Sequence, residues 1–353
     1  MNKLEQELSD RLSRIGPPDE QAVSRAAAYL DTLTKPPGSL GKLETLACRL
    51  AGITGELRPD LSRRAVVVMA GDHGVCAEGV SAFPQEVTPQ MVMNFLAGGA
   101  AINVLARQAG AEVVCVDVGV AAELSHPRLV AAKVRPGTGN LAKEAAMTRE
   151  EALQAVKAGI DVVDRLYGDG VRLFATGEMG IGNTTPSAAM LVALTGIGVE
   201  AAVGRGTGVD DAGLARKRDV VRRALDLHRP DASDPLGVVA AVGGLEIAGL
   251  MGVVLGAASR RCPVVIDGFI STVAALAAVR LCPQAASCLI ASHRSQEHGH
   301  AAALEALGLS PMLELEMRLG EGTGAALAMH LIDAACRIMS EMATFAQAGV
   351  SKG

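Results

Sequence analysis

The sequence holds 353 residues, enough for one large domain or for a large and a small one. Hydrophobic residues make up 49% of it but aromatic ones only 2%, so the core has to be built from Ala, Val, Leu, Ile and Met, with glycines at close approaches. A net charge of −5 with no basic stripe weighs against nucleic acid as a partner, and seven cysteines without a CxxC pair suit reduced thiols in the cytoplasm rather than a disulfide framework.

Residues 1–12, MNKLEQELSDRL, are charged and lack the apolar stretch of a signal peptide. Leu4, Leu8, Leu12 and Ile15 recur at helical spacing, and Ala26, Leu30 and Leu33 continue the pattern in a second helix. KPPGSLGKLE (35–44) interrupts it: Pro36 and Pro37 stiffen the backbone, and Gly38 and Gly41 let it turn. From Ala65 short β-branched runs alternate with longer helical segments. The runs are AVVVMA (65–70), EVVCVDV (112–118), VRLFAT (171–176), PVVIDG (263–268) and SCLIAS (287–292). Continuous apolar strands separated by helices predict a parallel sheet covered on both faces. Thr148 and Glu151 have the spacing of a capping box.

Residues 238–259 are apolar over a length that spans a membrane. Glu246 in the middle of that run is costly in lipid, and glycines divide it, so a buried helix pair is expected and no membrane partner. After about residue 305 the chain returns to helix. A break at MRLGEGTG (317–324) precedes one long apolar helix over 325–342. The expected fold is α/β: a Rossmann-like parallel sheet with helices on both faces, residues 63–304, plus a small helical domain formed by both chain termini, residues 1–62 and 305–353.

Each expected strand ends in a polar or glycine-rich turn, and open parallel sheets bind ligands at that edge. GEMGIGNTT (177–185) is the sharpest of these turns. It follows a strand and opens a helix, and its glycines allow an anion to approach backbone N–H groups. It has neither the GK[ST] of a Walker loop nor the full GxGxxG spacing of a dinucleotide fold. A plain strand-to-helix turn accounts for its glycines equally well. Gly204, Gly206 and Gly208 precede a helix carrying Arg216, Lys217 and Arg218, for most of which a solvated helix face suffices. His293, His298 and His300 fit no usual metal spacing, and Asp72 and His73 serve equally as a metal pair or as strand-end hydrogen-bonding residues. Glu321 sits between two glycines before an apolar helix. Burial there would raise its pKa and make it a general base, while the plainer reading is an acid favoured by the helix dipole.

Taken in order, KPPGSLGKLE, AGDHGV (70–75), FPQEVT (83–88), GEMGIGNTT, RGTGVDD (205–211), SHRSQEHGH (292–300) and RLGEGTGAAL (318–327) resemble one family. It is the nicotinate-nucleotide–dimethylbenzimidazole phosphoribosyltransferases of cobalamin lower-ligand synthesis, and the resemblance spans essentially the whole chain. It implies transfer of phosphoribosyl from nicotinate mononucleotide to 5,6-dimethylbenzimidazole, giving α-ribazole 5′-phosphate and nicotinate with inversion at C1′. No pyrophosphate leaves, so neither a metal nor another cofactor is expected. By motif match, Glu321 is the general base and Glu178 a second active-site carboxylate. Gly180, Ile181, Gly182, Asn183 and Thr184 form the phosphate and ribose cradle, assisted by Lys217, with Ser292 and Ser295 at the nucleotide. Ser81, Gln85, Gln90 and Leu319 line the base pocket. A homodimer is implied as well. Two other readings use the same cradle: a nucleotide-binding module without catalysis, and a nucleotide hydrolase in which water replaces the base.

Overall fold

A computed structural model of the protein describes residues 3–351; the outermost two residues at each end of the expected terminal domain lie outside the described residues. The strands are β1 Arg64–Gly71, β2 Ala111–Gly119, β3 Val130–Ala131, β4 Leu173–Met179, β5 Val264–Ile266 and β6 Leu289–Ala291. Among the described residues they form one sheet in the order β3-β2-β1-β4-β5-β6, with every pair parallel. The chain winds outward from β1 to β3 and then restarts at β4 on the other side of β1. The order therefore reverses between β1 and β4, the place where doubly wound sheets open a crevice at their carboxyl edge.

Residues of β1 are apolar in both directions because both faces of the sheet are covered. Val67 and Met69 point into one core, and Val66, Val68 and Ala70 into the other. Helices Arg149–Gly168 and Leu245–Ser259 cover the first face. Helix Lys3–Leu12 packs on that same face: Leu8 is buried there, and Arg11 and Arg260 both pair with Asp164. The second face is covered by helices Ala101–Gln108 and Thr323–Glu341, with Lys42–Thr54 packed against the latter and Glu20–Leu30 outside it.

The apolar run at 238–259 is a pair of helices, Pro235–Val242 and Leu245–Ser259, joined at Gly243–Gly244. The second is buried from Leu245 to Ala258 because it crosses Arg149–Gly168 backbone to backbone. A Cβ on Gly159 would run into the carbonyl of Gly249, and one on Gly252 into that of Val156. Among the described residues no helix is long and apolar enough to cross a membrane. The expected capping box forms: the Thr148 hydroxyl accepts from the Glu151 N–H at 3.2 Å, and the Glu151 carboxylate from the Thr148 N–H at 2.8 Å.

Candidate active site

The carboxyl ends of β1, β4, β5 and β6 meet at one edge and deliver Asp72 and His73, Glu178, Asp267, and Ser292 and His293, all buried. β4 runs three residues beyond the expected strand, to Met179, so Glu178 stands on the strand opposite Met69 rather than in the following loop. Gly177 belongs to that strand because the carbonyl of Glu321 packs against it and leaves no room for a Cβ.

The cradle begins at Gly180, which approaches the carbonyl of Gly71 too closely to carry a side chain. Gly182 takes φ +90° with the Cys76 sulfur beside it, and the Ile181 N–H donates to the Thr88 hydroxyl at 3.0 Å. Asn183 then caps helix Thr184–Thr195, which starts two residues before Pro186. The Thr185 N–H is spent on the Gly182 carbonyl at 3.0 Å and Pro186 has none, so the helix start offers an anion chiefly its dipole and the Thr184 side. Lys217, 1% exposed, donates from Nζ to the Thr184 hydroxyl at 2.8 Å. Burial lowers its pKa to about 8, against the opposing charge of Glu297. Gly206, at φ +54°, lies so close to Thr184 and Lys217 that a side chain would displace both. These residues bring a buried cation and a helix N-terminus to one corner, the two features by which proteins hold an anion.

Opposite lies the turn carrying Glu321. Gly320, Glu321 and Gly322 take φ of +89°, +62° and +97°, a left-handed run in which only Glu321 lacks glycine's freedom. Such a conformation costs about 1–3 kcal/mol and persists only where the surroundings hold it. The Glu321 backbone N–H is hydrogen-bonded to the Glu178 carboxyl group, which also accepts from the Asn183 amide. The Glu321 carboxylate accepts from the Ile102 N–H at 3.3 Å. Burial raises the Glu321 pKa, and the Ile102 bond offsets part of that. Burial pushes Glu178 up to about 8; the Asn183 bond works against it, and the charges of Glu246 and Asp267 add to it.

Two residues at this edge, Asp267 and Glu246, are not among those the sequence points to, and the partner of His73 is not legible there either. Asp267 accepts backbone N–H bonds from Gly322 and Ala325, and burial raises its pKa to about 7 despite them. His73 and Glu246, both fully buried, pair at 2.8 Å beneath the cradle. Burial alone would lower the His73 pKa, but the charge and hydrogen bond of Glu246, with the charge of Asp72, outweigh it and the net shift is upward. In the sequence Glu246 is a single acid within an apolar run, and His73 a strand-end residue whose partner the spacing does not reveal.

The structure brings Glu178, Gly180–Thr184, Lys217 and Glu321 to one crevice. Ser81 sits at its rim, with its hydroxyl 3.3 Å from that of Thr207. Gln85 is half-buried, Gln90 exposed and Leu319 56% exposed, so the expected base-pocket residues are open to solvent rather than enclosed. Ser292 and Ser295 are engaged by the protein itself. The Ser292 hydroxyl donates to the Ile266 carbonyl at 2.7 Å, and the Ser295 hydroxyl accepts from the Glu297 N–H at 3.2 Å. His300 is likewise used internally, against Thr272 and the Ser295 N–H. Among the described residues no three His, Cys, Asp or Glu side chains are grouped to hold a metal ion.

A family profile described as a phosphoribosyltransferase matches residues 15–350. A relative from Chloroflexus aggregans, named nicotinate-nucleotide–dimethylbenzimidazole phosphoribosyltransferase, is 59% identical over 346 residues, covering 98% of each chain. One of the same name from Desulforamulus reducens is 58% identical over 348 residues, 98% of this chain and 99% of that one. The crystal structure of CobT from Thermus thermophilus superposes with a TM-score of 0.91 at 53% identity, over 94% of this chain and 100% of that chain.

Proposed function

The chain belongs to the nicotinate-nucleotide–dimethylbenzimidazole phosphoribosyltransferase family, and from that premise we propose how its site carries out the transfer. The enzyme moves the phosphoribosyl group of nicotinate mononucleotide to 5,6-dimethylbenzimidazole. The cradle Gly180–Thr184 and Lys217 hold the phosphate and ribose, the cation and the helix N-terminus matching the anion's charge. The flat base enters along Ser81, Gln85, Gln90 and Leu319, opposite the departing nicotinate. Its nitrogen lone pair forms the new bond to C1′. The N–H proton of the attacking base passes to the Glu321 carboxylate, and the bond from C1′ to the pyridinium nitrogen breaks with its electrons returning to the ring. Nicotinate leaves, and C1′ inverts to give α-ribazole 5′-phosphate. The leaving group is already cationic, so the protein's work is alignment and removal of one proton. Glu178, protonated near neutrality, fixes the Glu321 turn through the backbone bond and orients the nucleotide. Ser292 and Ser295 act through the shape of their loop.

The observation that carries this mechanism is Glu321 itself: a buried carboxylate of raised pKa, held in a left-handed turn across the crevice from the cradle. Incubation with nicotinate mononucleotide, with and without 5,6-dimethylbenzimidazole, tests it. Nicotinate and α-ribazole 5′-phosphate are expected together and only when the base is present. Nicotinate released without the base would make the chain a hydrolase, and no turnover would leave a binding module. The proposal includes a cytoplasmic enzyme, supported by seven cysteines that are all free thiols. It also includes a homodimer, supported by the family resemblance; light scattering should return twice the chain mass, and the mass of a single chain would remove that part.

A further inference from the structure

Asp267 follows β5 and is 2% exposed. Its two oxygens grip one turn at two points: Oδ2 accepts from the Gly322 N–H at 3.0 Å and Oδ1 from the Ala325 N–H at 3.0 Å. His293 closes the other side, its Nδ1 3.6 Å from Oδ1, and its ring leaves no room for a Cβ on Gly324. The gripped turn is the one that presents Glu321, and both bonds fall on its C-terminal side, at the start of helix Thr323–Glu341. From the other side, Thr323 Oγ donates to the Gly320 carbonyl at 2.8 Å and closes the loop around Glu321.

We propose that Asp267 is a positioning residue for the transfer, fixing Glu321 in its left-handed conformation by holding the backbone N–H groups of Gly322 and Ala325. The proposal rests on Glu321 being the base. Asp267 is a poor candidate for direct contact with substrate, because both of its oxygens are committed to backbone donors and the side chain is enclosed. Neither Asn nor Ala replaces both acceptors. Asn keeps one acceptor and turns an NH₂ group toward the other donor, and Ala keeps neither.

The test compares Asp267→Asn, Asp267→Ala and Glu321→Gln using two attacking bases, 5,6-dimethylbenzimidazole and a nitro-substituted benzimidazole whose N–H is more acidic. A base that loses its proton more readily depends less on a well-placed acceptor. For Asp267→Ala, kcat with 5,6-dimethylbenzimidazole should fall roughly 10²-fold, the scale of an ångström of misplacement. The loss should shrink with the nitro compound, and the KM for nicotinate mononucleotide should stay within about two-fold. Asp267→Asn should lie between Asp267→Ala and wild type, and, being isosteric, it keeps the test open if the Ala protein does not fold. Equal losses with both bases, a raised nucleotide KM, or wild-type kcat would each overturn the proposal. If Glu321→Gln kept its turnover, the assignment of the base would fail first, whatever the Asp267 variants did.

Discussion

Glu178 and Glu321 are neighbours with different surroundings. Glu321 has one backbone donor, while Glu178 has the Asn183 amide, the Glu321 N–H and two other carboxylates nearby. The fold therefore accommodates Glu178 in its protonated form, with a pKa of about 8 against an ordinary 4.5. A folded pKa above the unfolded one means that the native state binds the proton more tightly. That contribution is complete below the unfolded value and is lost as pH rises through about 8. The loss is on the order of a few kcal/mol at high pH. Glu178→Gln mimics the protonated form and should be free of it. Melting temperatures at about pH 6 and about pH 9 should diverge, wild type falling more than the variant. Parallel falls in both proteins would mean that Glu178 is ionised in the native state already.

At the scale of elements, the crossing of Arg149–Gly168 with Leu245–Ser259 gives a test in which two effects oppose. In an open helix, replacing Gly by Ala stabilises by about 1 kcal/mol. At Gly252 the added methyl would run into the Val156 carbonyl and stand 3.0 Å from the Gly159 Cα, both of them backbone. Overpacking of that kind costs about 1–3 kcal/mol, so the clash wins and Gly252→Ala should lower stability in denaturant unfolding while the folded fraction keeps wild-type kcat. A more stable variant would show that the helices have room to separate. The helix pair over 238–259 is legible in the sequence as glycines dividing a long apolar run, but its crossing with Arg149–Gly168 is not; the longer strands are legible because strands buried on both faces read as continuous apolar runs. Two-residue β3 carries no such signal. The end of β4 was read as a loop because Gly177 and Gly180 look like turn residues, when their role is to let the Glu321 and Gly71 carbonyls approach. The site divided in the same way. Glu178, Lys217 and Glu321 are expected at the site by match to the family's motifs, since their local sequence also fits a plain turn, a solvated helix face and an acid favoured by a helix dipole. Asp267 and Glu246 are not, and the role of His73 stays open, because the partners lie far away in the chain: Glu246 is 173 residues from His73.

Across the whole molecule, the chain ends and the sheet share their apolar cores. Helix Thr323–Glu341 buries Ala325, Ala328, Met329, Ile332 and Met339 in the same core as Val66 and Val68 of β1, Leu173 and Ala175 of β4 and Leu50 of helix Lys42–Thr54. The site is divided likewise, with Glu178 on a central strand and Glu321 on the turn that starts the last long helix. Burying Met329, Ile332 and Met339 is worth roughly 1.5–3 kcal/mol each. Together they rival the net stability of a whole domain, about 5–15 kcal/mol. A chain ending at Leu309 keeps all six strands of the sheet but uncovers the part of one face that helix Thr323–Glu341 packs on. It should lose cooperative unfolding and bind a hydrophobic dye, as well as lacking the proposed base. A sharp thermal transition in that truncated protein would show instead that the C-terminal helices fold as a unit apart from the sheet, in line with the division of 63–304 from the two ends that the sequence suggested. The Glu321 turn would then be delivered to a crevice that forms without it.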